Sequence, residues 1–380
     1  MNTIRRRAIG ALVLATAGAT VLAACGGTGD SGSDTGSGSV TSGGGSKSVT
    51  LVSHDSFAAS KQVLAEFTKE TGYTVKVLRG GDAGAAVNQA ILTKDHPRGD
   101  VFFGVDNTLL SRALDNGLFT PYTAKDLGQV AADVQLDAAR HRVTPIDSGD
   151  VCVNYDRAYF TSHKLAPPRT FADLVKPEYK NLLVTENVAT SSPGLAFLLG
   201  SAATFGDGGT SPGEVSGGGW QAYWKQLKQN GVQVVDGWEQ AYNDRFSGSA
   251  AGKKAKGDRP LVVSYASSPP AEVVGVTPEP AQSPVGVSTG TCFRQIEFAG
   301  LLHGAKNTAG GKALIDFMIG KTFQEDMPLQ MYVDPVRKGA VEPEVFTKYG
   351  ARIDHPTTLA PDKIAAERDD WVKAWTSIVL

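Results

Sequence analysis

A chain of 380 residues, 41% hydrophobic and 20% charged, carries 37 basic against 39 acidic side chains and a formal charge of −2. This composition supports one or two full cores, and its near-neutral balance supplies no polycationic face for a phosphate backbone, which argues against nucleic acid as a partner. Three Cys exclude a disulfide-dense mini-domain and leave no CxxC pair for zinc or redox chemistry.

The N-terminus reads as a targeting segment. Arg5, Arg6 and Arg7 precede an apolar run over 8–24 that ends in LAAC at 22–25, the pattern of a secretory signal. The run is short and too rich in Ala and Gly for a membrane span. The tetrapeptide resembles a lipobox, and that resemblance implies cleavage after residue 24 and a lipid on Cys25, holding the protein on the outer face of the cytoplasmic membrane. Removing those 24 residues, three of them Arg and none acidic, takes the formal charge from −2 to −5. From 26 to 47, nine Gly and six Ser fill most positions. Such a stretch buries too little apolar surface to offset its ordering entropy, so 25–47 is expected to be a flexible tether with a reach of about 26 Å.

The body opens with a regular alternation. Residues 49–53, 73–78 and 100–105 predict strands, and 58–71, 83–93 and 108–115 predict helices by their apolar spacing. A β-α-β-α-β-α order implies a parallel sheet covered on both faces, with ligands beyond the carboxyl ends of the strands. The junctions there hold His54, Asp55 and Ser56, then Asp82, then Asp106 and Asn107. Each aspartate alone is explained by helix capping; three on one rim favour a site that prefers cations.

A second set follows. Strands are predicted at 151–155, 182–185, 232–235 and 261–264, and a helix start at TSSPG (190–194). Residues 221–229 are amphipathic, and Trp238 and Tyr242 lie on a short helix after a strand. After a Pro-rich loop at 277–284 come a strand at 292–298 and helices near 311–319, 322–328 and 361–377. The chain is expected to build a first lobe from 48–148 and 299–380 and a second from 149–298, with a ligand cleft between them.

Catalytic patterns are weak. GVSTG at 286–290 matches GxSxG, but the preceding Pro-rich loop and following strand are wrong for a nucleophile elbow, and the segment reads as a turn. The six His show no HExxH or HxH spacing and no GxxxxGK[ST] occurs, so neither a metal site, a nucleotide site nor a cofactor is expected.

The blocks DSFA at Asp55, DVFFGVDNTLL from Asp100, TSSPGL from Thr190, GWEQAY from Gly237, LVVSYASSP from Leu261 and YVDPV from Tyr332 resemble the thiamine-binding proteins of ABC importers, over about Thr50 to Trp375. The resemblance implies a non-catalytic, two-lobed α/β receptor of the periplasmic-binding type (type II-like), acting as a monomer that passes thiamine or a phosphate ester to a membrane permease. Thiamine's thiazolium is a permanent cation on a flat body, suited to aromatic faces and carboxylates. Trp238, Tyr242, Tyr265 and Tyr332 are candidate faces, Asp55, Asp106 and Asn107 partners for the aminopyrimidine, and Ser191 and Ser192 a helix N-terminus for the hydroxyethyl tail or a phosphate. The sequence departs from the family at His54, where relatives often place Tyr, and at Tyr332, where Trp is common. Related receptors of this fold bind ferric ion or polyamines, which stay as alternative ligands beside an extracytoplasmic hydrolase as the alternative class.

Two cysteines remain after Cys25. In an oxidising compartment Cys152 and Cys292, both in strands placed at the lobe crossovers, are expected to pair; two buried free thiols are the alternative.

Overall fold

The apolar alternation of the first third folds as three parallel strands wrapped by helices. In this computed structural model, which describes residues 47–206, 218–249 and 257–380, these are β1 (Ser48–Ser53), α1 (Lys61–Thr71), β2 (Thr74–Arg79), α2 (Ala83–Leu92), β3 (Val101–Asp106) and α3 (Leu110–Asp115), followed by the short β4 (Phe119–Thr120). The signal segment, Cys25 and the tether up to residue 46 lie outside the described residues. Ser60 caps α1 by accepting from the Val63 N–H, and Gly72 closes it at φ 74°. Register runs Ser48↔Thr74 through Ser53↔Arg79 between β1 and β2, so both strands end at the same edge.

The rest comprises β5 (Thr144–Asp156), α4 (Arg157–Ser162), β6 (Leu183–Glu186), α5 (Ser192–Phe205), α6 (Gly219–Gln229), β7 (Gln233–Val235), β8 (Leu261–Tyr265), β9 (Val285–Leu302), α7 (Thr308–Met318), α8 (Lys321–Gln330), β10 (Asp334–Pro335), α9 (Glu344–Tyr349) and α10 (Pro361–Val379). Among the described residues, ten strands make one mixed sheet in the order β2-β1-β3-β9-β5-β8-β6-β7, with β4 on β9 and β10 on β5. Two parallel wings, β2-β1-β3 and β8-β6-β7, therefore flank a central antiparallel pair, β9 and β5. The mostly parallel sheets expected are found in the two wings, and the centre that joins them is antiparallel: β9 runs antiparallel to β3, and β5 to β8.

Both central strands are far longer than the sequence suggests. Pro145, Asp147 and Gly149 interrupt the apolar pattern of β5, and register shifts between Pro145 and Asp147 and between Val151 and Val153 absorb the irregularity as bulges. The GVSTG segment, expected as a turn, is instead interior to β9. Gly286 sits there because the Tyr155 ring occupies the space a Cβ would need. Ser288 is buried and donates to the Pro168 carbonyl at 2.6 Å, a strand residue with no elbow geometry.

Cys152 and Cys292 form a disulfide across β5 and β9, with Cα atoms 4.2 Å apart and 140 residues between them. It sits where the ladder shifts register, packed with Ala266, Val287, Ala351 and Ile353. α5 is apolar all round and buried from Ser192 to Ala202. Trp224 donates from its indole N–H to Ser201 Oγ at 2.9 Å and meets Trp375 edge-on at 5.5 Å, pinning α10 to α6.

β3 ends in Asp106, 0% exposed. Its Oδ1 accepts from the Thr108 hydroxyl at 2.7 Å and the Leu109 N–H at 3.2 Å, while Oδ2 has no hydrogen-bond partner. Burial pushes this carboxyl up to about 7, with the Thr108 bond opposing and Glu297 assisting. A folded-state value above the unfolded one stabilises at acid pH, and that contribution is lost as pH rises through about 7.

Two outcomes are expected. Asp106→Asn keeps an Oδ1 acceptor and removes the charge, so its stability relative to wild type should improve by about 2–3 kcal/mol between pH 5 and pH 8; parallel urea-denaturation midpoints at the two pH values would refute this. Replacing Cys152 and Cys292 together by Ser should cost about 4–5 kcal/mol on the chain-entropy account of so long a loop, read as a lowered midpoint under non-reducing conditions.

Candidate ligand-binding site

The carboxyl ends of β1 and β2 present His54, Asp55, Ser56 and Asp82 to a cleft, and the second wing answers with Trp238, Tyr242 and Tyr265. A narrow inner recess of about 40 Å³ is lined by His54, Asp82, Ser192, Trp238, Tyr265 and Glu297. It opens to a mouth of about 390 Å³ bordered by Asp55, Ser56, Tyr242, Glu272 and Tyr332. The mouth is of a size that suits a small organic molecule, for which pockets of about 300–1,000 Å³ are usual.

Asp82 caps α2, its Oδ1 accepting from the Ala83 N–H at 2.6 Å, and its Oδ2 accepts from the Trp238 N–H at 2.7 Å. One carboxylate thus joins the two wings. A second bridge runs from the Ala85 N–H to the Thr190 carbonyl at 3.0 Å. Burial raises the Asp82 pKa, opposed by the Trp238 and Ala83 N–H groups and by His54.

Trp238 leads into a widened, π-type turn of helix over Glu239–Arg245, a geometry frequent at functional sites. Its indole N–H donates to Ser264 Oγ at 2.9 Å, and its ring stacks on Tyr242 at 5.0 Å and 13°. Tyr242 is 2% exposed, packed among Val184, Val235, Phe246 and Val262. It backs the indole from the core side, leaving the other indole face for the cleft. Tyr265 donates from its hydroxyl to Gln295 Oε1 at 3.0 Å, and Gln295 Nε2 donates to Ser192 Oγ at 3.1 Å. Burial, with Glu297, Asp82, Asp106 and Asp147 around it, holds the Tyr265 phenol well above its ordinary range.

His54 is 9% exposed, its Nε2 3.4 Å from Glu297 Oε1. It packs over Gly104, at φ 100° in the bulge of β3, where a Cβ would overlap the imidazole. Burial works against the charged imidazole, but Glu297, Asp82 and Asp55 outweigh it and the pKa is raised. Glu297 faces Asp147 across the β5–β9 ladder. Both Asp147 oxygens are buried without a hydrogen-bond partner that meets geometric criteria, and burial, then Glu297 and Asp334, drive that carboxyl well above the usual range.

The sequence-derived candidates thus divide. His54, Asp55, Ser56, Asp82, Ser192, Trp238, Tyr242, Tyr265 and Tyr332 border the recess or its mouth. Asp55 also accepts from the Gly81 N–H at 3.2 Å, and Tyr332 takes φ 56° while its carbonyl accepts from Ser267 Oγ. Asp106, Asn107 and Ser191 line neither space. The expectation that Asp106 lies on the solvent rim is corrected by its complete burial. Asn107 is spent on β9, donating to the Arg294 carbonyl and accepting from the Ile296 N–H, and Ser191 caps α5 through the Gly194 N–H at 3.5 Å. Sequence reasoning missed Gln295, Glu297, Glu272 and Asp147. The signal for two of them was present: Gln295 and Glu297 are polar at period two on either side of Ile296 within a strand.

Comparison with known proteins agrees with this geometry. A family model for bacterial extracellular solute-binding proteins matches residues 62–353. A thiamine-binding periplasmic protein of Brucella suis is 27% identical over 338 residues, covering 86% of this chain and 90% of that one. The thiamine-binding periplasmic protein of Escherichia coli K12 is 26% identical over 341 residues, covering 87% and 93%. A solved periplasmic thiamin-binding protein superposes with a TM-score of 0.73 at 23% identity, covering 88% of this chain and 96% of that one, which gives the chain the two-lobed fold of type II periplasmic binding proteins. With the family matched over most of its length and a cleft built at its strand ends, the chain belongs to the bacterial extracellular solute-binding proteins, which are receptors and not enzymes.

Proposed function

We propose that the protein captures thiamine, or one of its phosphate esters, in the cleft and delivers it to an ABC permease. The observation that carries this reading is Trp238, held flat by Tyr242 and facing a recess that also contains Asp82 and Glu297. A flat permanent cation is what an indole face beside carboxylates favours. The names of the relatives point the same way. Ser192, in the first turn of α5, is suited to the hydroxyethyl tail or a phosphate ester, and Asp55 and Ser56 at the mouth to the aminopyrimidine.

The same proposal assigns 48–148 with 299–380 to one lobe and 149–298 to the other. β10 pairs with β5 up to Ser148 and β8 pairs with it from Val151, which supports a change of lobe between them. Cleavage after residue 24 and lipidation of Cys25 would hold a monomer at the membrane beside its permease.

Titration of intrinsic tryptophan fluorescence with thiamine, its mono- and diphosphate, spermidine and ferric citrate tests the ligand. A saturable response to a thiamine form is expected, with the ligand recovered unchanged. Trp238→Ala should weaken binding about 2- to 30-fold, the span of a cation–π contact worth about 0.5–2 kcal/mol, with an unaltered circular dichroism spectrum. A response confined to spermidine or ferric citrate would defeat the reading.

A further inference from the structure

His54 and Glu297 form an ion pair inside the recess that a cationic ligand must enter. The pair is built in rather than incidental. The imidazole lies over Gly104, where no larger residue fits, and tilts against Phe103 at 5.6 Å. Its Nε2 reaches Glu297 at 3.4 Å, and both side chains line the inner recess.

We propose that His54 is the resident counter-ion of Glu297, and that an organic cation entering the recess takes over that carboxylate while the imidazolium gives up its proton to solvent. The inference rests on the assignment of a cationic ligand to this cleft. Two positive groups cannot share one enclosed carboxylate without repulsion. A permanent cation has no way to shed its charge, whereas an imidazolium does so near neutral pH. The charge of the recess is the same before and after: one cation leaves as a proton and one arrives as the ligand.

Groups on every neighbouring element bear on this titration. Asp55 adjoins His54 in sequence, Asp82 faces it from the start of α2, and Glu297 faces it from β9. Glu297 in turn helps to raise the carboxyls of Asp147 on β5 and Asp106 at the end of β3, which lie behind it. Tyr265 on β8 stays a neutral phenol. All the charged neighbours are carboxyl groups, so the free protein favours the imidazolium. The arriving cation is the group that opposes it.

The sign of the linkage follows. The bound state holds fewer protons than the free state, so affinity rises with pH through the titration of His54 in the free protein and levels off above it.

Calorimetric titration of the full protein with thiamine, in two buffers of different ionisation enthalpy at about pH 6.5, counts the protons. Release of up to about one proton per thiamine is expected, with affinity rising by up to about tenfold per pH unit. In His54→Gln the release and the slope should both disappear, whatever affinity remains. The imidazole resonances of wild-type protein give a measurement without substitution: His54 should titrate above about 6.5 alone and at lower pH with thiamine bound. Binding without proton release, or a His54 titration that thiamine leaves unmoved, overturns this inference and leaves the ligand assignment standing. A wild-type protein that binds no thiamine form at any pH overturns both.

Discussion

The antiparallel pairing of β5 with β9 is the constraint on which the cleft depends. It runs from Thr144↔Ala299 to Asp156↔Val285, and each wing of the sheet hangs from one of its ends. Because side chains alternate along a strand, a slip of one residue in β9 would turn Gln295 and Glu297 away from the recess and put Arg294, Ile296 or Phe298 in their places. Two register shifts lie within this ladder, so its hydrogen bonds alone fix the register less firmly than a regular ladder would. The Cys152–Cys292 bond sits at one shift and forbids the slip there. The disulfide therefore matters to the chemistry of the cleft as well as to stability.

That ladder also carries charge into the interior. Asp147 and Glu297 oppose one another in it, with Asp106 behind and His54 in front. Isolated buried carboxylates are costly. The protein reduces the cost by holding Asp106 and Asp147 high, where they bind protons more readily, and by placing an imidazole against Glu297. What remains is a negative field directed at the recess. Beside the charges its wall carries the rings of Trp238 and Tyr265, with Pro193, Met331 and Val333. On the proposed reading, charge favours a cation and the flat wall favours its shape, so a flexible polyamine would meet the first condition and not the second.

Much of this was legible in the sequence, for physical reasons that also explain the failures. The strands at 49–53 and 73–78 and the helix at 83–93 have clean periodicity, so the rim residues Asp55 and Asp82 followed from topology alone. Trp238 and Tyr265 were reached because they stand directly after strands. Asp106 stood at an equivalent strand end, but the bulge at Gly104 changes the course of β3 and its carboxylate is folded inward onto Thr108 and Leu109. β9 was read short because Gly286 and Gly290 resemble a turn, and only the packing of Tyr155 against Gly286 explains why the chain stays extended. Gln295 and Glu297 alternate with Ile296 in a way that marks one face of a strand, but the residues they meet lie far off in sequence, and nothing local says which those are.

Recognition and lobe contact converge on Asp82. One of its oxygens starts α2 and the other holds the backbone of Trp238 from the opposite wing. The indole is further held by Ser264 and stacked on Tyr242, and its backbone is tied to the first wing by that carboxylate, with the Ala85–Thr190 bridge beside it. Opening the cleft would break the Trp238–Asp82 bond and withdraw the aromatic wall from the recess at the same time. On the proposed reading, a ligand that fits between the indole and the carboxylates stabilises the arrangement in which that bond is made, so that binding would favour closure. The cap of a helix serves here as a link between two wings of the sheet, which is why a residue type so easily explained by local capping also lines the recess.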